Sequence, residues 1–148
     1  MYPHPNLLPR WLRRLLYISG GVLLFTGLGW EALHYTLGSG RDALALPHPG
    51  EAWLMRLHGV GVLAFTLALG ALSPVHIPRG WRQHRNWISG LMQIGFALAL
   101  LGSGYALSYL TGDSNRSTIG LLHTAIGVVM AIVLIWHVRS KVQNQPPA

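Results

Sequence analysis

Four apolar stretches, near residues 12–35, 52–74, 86–109 and 117–138, alternate with short polar segments along the chain. Crossing about 30 Å of hydrocarbon at about 1.5 Å per residue takes roughly 20 residues, so each stretch is long enough to span a bilayer as a helix. The pattern predicts an all-α protein, an integral membrane four-helix bundle forming one transmembrane domain over 1–148. Arg13 and Arg14 precede the apolar run from Leu15 to Trp30, as in a signal peptide. That run ends in Glu31, Ala32, Leu33, His34 and Tyr35 without a small-x-small site, which predicts an uncleaved anchor. The connections carry Gly38, Ser39, Gly40, Pro47 and Pro49, then Pro74, Pro78 and Gly80, then Gly112, Asp113, Ser114 and Asn115. Such short turn-rich links make successive spans antiparallel.

Composition agrees with this pattern. Of 148 residues, 51% are apolar and 10% charged, whereas charged residues supply about a quarter of a soluble domain. The net charge of +7 would suit a polyanion were it gathered on one surface. Instead Arg10, Arg13, Arg14, Arg79, Arg82, Arg85, Arg139 and Lys141 fall with the termini and the second connection, and Arg41, Arg56 and Arg116 on the other side. That bias predicts cytoplasmic N and C termini and argues against nucleic-acid binding. Glu31, Asp42, Glu51 and Asp113, the whole acidic complement, fall on the opposite side. Cysteine is absent, which excludes disulfides, thiolate metal sites and the thioether attachment of a c-type haem.

Eight histidines are a high count in a chain with so few other ionisable groups, and a histidine within a span is a functional candidate by default. His58 stands seven residues after Glu51, and His123 six after Ser117. Their spans are expected to run in the same direction, which puts both imidazoles at a similar depth near the outer face. His123 and His137 are 14 residues apart, a rise of about 21 Å that returns to within roughly 40° of one helix face. Gly127 and Ala131 lie between them, small enough to leave room for a flat ring. His58 and His76 are 18 residues apart, about five turns and about 27 Å if the helix persists through Pro74, which either kinks it or ends it. Gly95, Ala99 and Ser103 form a small-residue stripe on the third span, read equally as close helix packing or as a wall facing a cofactor.

Two neutral imidazoles satisfy both axial positions of a haem iron, whereas zinc or copper would want three or four ligands at one depth. The residues therefore point to haem, with His58, His123, His76 and His137 as candidate iron ligands. Each also has a structural reading as a hydrogen-bonded or solvated side chain. Arg56 near the outer site and Arg79, with Arg82 and Arg85, near the inner one are candidate partners for haem propionates and equally candidate topology determinants. His84 reads as solvated in a basic connection, and His4, His34 and His48 as interfacial, with His34 and His48 near the expected outer haem edge, where they could assist proton transfer. No Ser–His–Asp, paired-carboxylate or phosphate-loop constellation supports hydrolytic or phosphoryl chemistry.

Paired histidines in four helices, the spacing of His123 and His137, and Thr26-Gly27 in the first span resemble the cytochrome b561 superfamily, including the gamma subunits of formate dehydrogenase and nickel–iron hydrogenase. Arg56-Leu57-His58-Gly59, then His76 with Arg79-Gly80-Trp81, and Arg85-Asn86 leading to Ser89-Gly90 are similar to small bacterial inner-membrane proteins of that type. The resemblance runs from about Trp11 to Arg139. It implies that the position of His58 pairs with that of His123, and that the position of His137 pairs with a histidine early in the first span. Here Tyr17 and Ser19 stand in that region and His34 lies at the other end, so the resemblance points to His76 as replacement, with His84 in reserve. The expectation is a multi-pass b-type cytochrome of the bacterial inner membrane, holding two haems b or one. It would pass electrons between quinone and a redox partner protein, in contact with membrane lipid, alone or as a homo- or hetero-oligomer. The alternatives are a monohaem relay subunit of a larger complex, and a haem-free membrane subunit or transporter whose histidines bind protons or a metal ion.

Overall fold

The computed structural model describes residues 9–38, 46–82, 87–110 and 112–142. Among them there is no strand. The elements are α1 (Arg10–Thr36), α2 (Pro49–Arg82), α3 (Trp87–Tyr109) and α4 (Asp113–Val142). Each contains a segment long and apolar enough to cross a membrane: Arg10–Thr36, Pro49–Pro74, Trp87–Tyr109 and Asn115–Arg139. The fold class is thus all-α with four membrane-length helices. In hydrocarbon every backbone donor and acceptor must be satisfied within the chain, which a helix achieves segment by segment.

The helices match the expected spans closely at α1 and α3 and overrun them at α2 and α4. Hydropathy marks only the part of a helix that meets hydrocarbon, whereas hydrogen bonding continues beyond it. The largest overrun resolves the alternative at Pro74. The proline removes the donor that would reach the Gly70 carbonyl, yet α2 runs on to Arg82 and keeps His76 helical.

The chain divides into two compact units, Met1–His76 and Ile77–Ala148. The first is a hairpin of α1 and most of α2. Its register is set by close approaches: Gly20 meets Phe65, Gly27 meets His58 and Gly29 meets Leu54, so rising numbers on α1 face falling numbers on α2. At Gly61 a Cβ would stand 3.1 Å from Leu23 Cδ2, tighter than most packed carbons, so a side chain there would require the leucine to give by a few tenths of an ångström. Residues buried on α1 are Leu12, Ser19 and Thr26, at steps of seven. Polarity is inverted relative to a soluble helix: Thr26 is 6% exposed and its neighbour Phe25 77%. The buried hydroxyls are accommodated because each donates to its own helix, Ser19 Oγ to Leu15 O at 2.7 Å and Thr26 Oγ1 to Val22 O at 2.6 Å.

A helix cap closes the connected end of this hairpin. Glu51 Oε1 accepts the His48 backbone N–H at 3.0 Å, and His48 Nδ1 accepts the Gly50 N–H at 3.1 Å. With Pro49 as the first helical residue, this is a capping box in which histidine replaces the usual Ser or Thr. The other Glu51 oxygen takes a hydrogen bond from His34 Nδ1 of α1 at 3.1 Å, and the His34 ring stacks on Trp30. Glu51 therefore fastens the end of α1 to the start of α2.

The second unit is the hairpin of α3 and α4. Gln93 Nε2 donates to Met130 O at 3.1 Å across it, and Gly127 packs toward Leu100.

Candidate functional site: three hydroxyl-oriented imidazoles

Three of the four candidate histidines meet a hydroxyl of the neighbouring helix through the same ring nitrogen. His58 Nδ1 lies 2.9 Å from Thr26 Oγ1 in the first hairpin. In the second, His123 Nδ1 lies 2.7 Å from Ser103 Oγ and His137 Nδ1 2.7 Å from Ser89 Oγ. All three imidazoles are half-buried, at positions within membrane-length helices.

The direction of two of these bonds follows from counting protons. A hydroxyl has one proton to give. Thr26 Oγ1 is 2.6 Å from Val22 O and Ser103 Oγ is 2.7 Å from Ala99 O, and a carbonyl can only accept. Each hydroxyl proton is therefore committed to its own helix, since the opposite assignment leaves two oxygens in contact with no hydrogen between them. The hydroxyl oxygen accepts from the histidine, and Nδ1 is the protonated nitrogen. In the neutral ring Nε2 then carries the lone pair, which is the tautomer that ligates a metal through Nε2. The Ser89–His137 bond joins the same atom types at the Ser103–His123 distance.

A glycine follows each hydroxyl residue, giving Thr26-Gly27, Ser89-Gly90 and Ser103-Gly104. The ring rests against it. A Cβ at Gly27 would stand 3.6 Å from His58 Cε1, at Gly104 3.5 Å from His123 Cε1, and at Gly90 4.0 Å from His137 Cε1. The unit is thus a hydroxyl that orients the imidazole and a bare backbone position beside which it lies. Ser89 and Ser103 are 14 residues apart, as are His123 and His137 in the opposite direction, so antiparallel pairing brings both pairs into register.

Among its described residues the first hairpin holds one such unit. Seven residues along from it, Ser19-Gly20 faces Phe65, and the positions 14 residues along are Leu12 and Leu72. His76 lies 18 residues beyond His58 on a continuous helix, hence on about the same face, and is half-buried. Arg56 is exposed, with its guanidinium 4.8 Å above the Trp53 ring. Two residues before His58, it projects about 200° away around α2. The Arg79 side chain and the whole of His84 lie outside the described residues. Gly127, expected to leave room for a ring, has Leu100 at 3.9 Å from where its Cβ would be. Ser103 belongs to a helix–helix contact through its hydroxyl, which the small-residue stripe alone did not reveal. The orienting hydroxyls went unread in the sequence, although the mirrored 14-residue spacings of serines and histidines carry the signal.

Among the described residues of either hairpin, no three His, Asp or Glu side chains converge as a compact zinc or copper site would require. No family model matches the chain, and no curated protein or solved structure matches it either.

Proposed function

We propose that this is a b-type cytochrome of the cytoplasmic membrane, with His58, His123 and His137 each giving one Nε2 to a haem iron. The supporting observation is the hydroxyl geometry: at His58 and His123 a hydroxyl committed to its own helix accepts from Nδ1, which in a neutral ring leaves Nε2 as the donor. A ligating imidazole needs that arrangement, and a hydrogen bond to its outer nitrogen is the usual means of obtaining it. The donor set fits haem, for it consists of neutral imidazoles beside glycines.

When bound, the group supplies one-electron exchange at iron, and two protein imidazoles on one iron leave no position for oxygen. What the chain contributes is orientation, burial and spacing. His123 and His137 lie about 21 Å apart along α4, too far to ligate one iron, so their joint use requires two haems. His76, helical and on the face of His58, is the proposed fourth ligand. Quinone and a redox partner protein are the proposed exchange partners, and the termini are proposed to be cytoplasmic.

Purification from cells supplied with haem precursor, followed by a reduced-minus-oxidised spectrum and a haem count, tests this reading. We expect b-type bands and two haems per chain. His58→Ala and His123→Ala should each abolish one spectral component, and whether it is the same component reads their pairing directly. His137→Ala should abolish the other. A colourless protein would overturn the proposal and favour proton or metal-ion binding.

A further inference from the structure

We infer that Thr26, Ser103 and Ser89 are positioning residues that set the reduction potentials of the haems, each acting through the histidine it holds. The inference rests on the haem reading and goes beyond it by assigning a tuning role to three hydroxyls rather than to ligands. Each hydroxyl meets the Nδ1 of one imidazole, at 2.9 Å for Thr26 on His58 and 2.7 Å for Ser103 on His123 and for Ser89 on His137. For Thr26 and Ser103 the acceptor role is enforced, because the hydroxyl proton is held by the carbonyl of Val22 or Ala99.

Accepting the Nδ1 proton pushes electron density into the ring and makes Nε2 a stronger donor. A stronger donor favours ferric over ferrous iron, so each hydroxyl lowers the potential of the iron its histidine serves. Orientation follows from the same bond: the ring cannot turn about its Cβ–Cγ axis without breaking it. Thr26 and Ser89 are both nearly fully buried, which keeps water from replacing the hydroxyl. The two addresses of the second hairpin are independent. Ser103 and Ser89 are 14 residues apart on α3, about 21 Å, so a change at one leaves the histidine of the other untouched.

Potentiometric titration of the haem-loaded full chain tests the inference. Thr26→Val keeps the shape of the side chain and removes only the hydroxyl, and Ser103→Ala and Ser89→Ala do the same on α3. Each should retain its haem and raise one midpoint potential. Thr26→Val should move the component that His58→Ala abolishes, while Ser103→Ala and Ser89→Ala should move different components. Thr26→Ser and Ser103→Thr should leave the potentials at their wild-type values. Loss of one haem from Thr26→Val with retention in Thr26→Ser would also support the role, as a failure to hold the ring. Haem-loaded variants with unmoved potentials would overturn this inference and leave the cytochrome reading standing. A wild-type protein without haem would overturn both.

Discussion

A single proton separates the two neutral tautomers of an imidazole. His58 and His123 would be ambiguous from position alone, since a half-buried histidine in a helix can be a ligand, a proton carrier or a packed polar side chain. The hydroxyl geometry fixes which ring nitrogen faces the neighbouring helix as a donor, because a carbonyl 2.6 Å from Thr26 Oγ1 and one 2.7 Å from Ser103 Oγ each claim that group's only hydrogen. The glycines beside the rings have an equally specific consequence. A methyl group at Gly27 or Gly104 would sit 3.6 or 3.5 Å from the imidazole Cε1, which is ordinary van der Waals contact. Gly27→Ala and Gly104→Ala are therefore expected to keep the haem spectrum, whereas Gly27→Leu and Gly104→Leu should displace the ring and lose the corresponding band. Equal spectra for the alanine and leucine variants would show that the ring does not depend on this surface.

At the scale of the element, the helices are held less by greasy interiors than by polar contacts and small residues. This is expected where lipid is as apolar as leucine and burial gives no driving force between helices. Glu51 illustrates it at the end of the first hairpin, where one carboxylate completes the α2 cap and binds His34 of α1. Gly38 is bound into the same junction, because a Cβ there would collide with Glu51 Oε1. Glu51→Ala should destabilise the hairpin by about 1 kcal/mol, the usual cost of losing a helix cap. Thermal unfolding in detergent, followed by circular dichroism, measures it; an unchanged midpoint would make the cap dispensable. The same contacts account for His34 and His48. His34 meets the Glu51 carboxylate through Nδ1, and His48 accepts the Gly50 backbone N–H through the same atom.

For the molecule as a whole, the chain comprises two helical hairpins that use one device, a hydroxyl and glycine on the first helix facing a histidine on the second. The first hairpin has it once and the second twice. Leu12 and Leu72 stand where the first hairpin would carry a second copy, which leaves His76, four residues further on, as the histidine α2 offers toward that end. Orientation in the membrane is testable because the chain has no cysteine of its own. Single cysteines introduced as Ser39→Cys, Gln83→Cys and Gln145→Cys should divide into two classes with a membrane-impermeant maleimide. Position 39 should label from outside in spheroplasts, and positions 83 and 145 only in inverted vesicles. Labelling of 145 from outside would reverse the proposed topology.

The number of spans, their rough limits and the histidines worth watching were legible in the order of residues, because transfer into hydrocarbon is a sum of local contributions and needs no knowledge of neighbours. Helix ends were less so: α2 passes through Pro74 because its remaining hydrogen bonds outweigh one missing donor, a balance hydropathy does not register. What only tertiary structure decided is the contact each of Thr26, Ser89 and Ser103 makes with an imidazole. The serines and the threonine are small polar residues whose meaning depends on what lies across the helix pair, and Ser19-Gly20, the same kind of dipeptide, faces Phe65 instead of an imidazole. A tautomer is set by a contact between residues dozens of positions apart, and such a contact exists only once two helices have met in register.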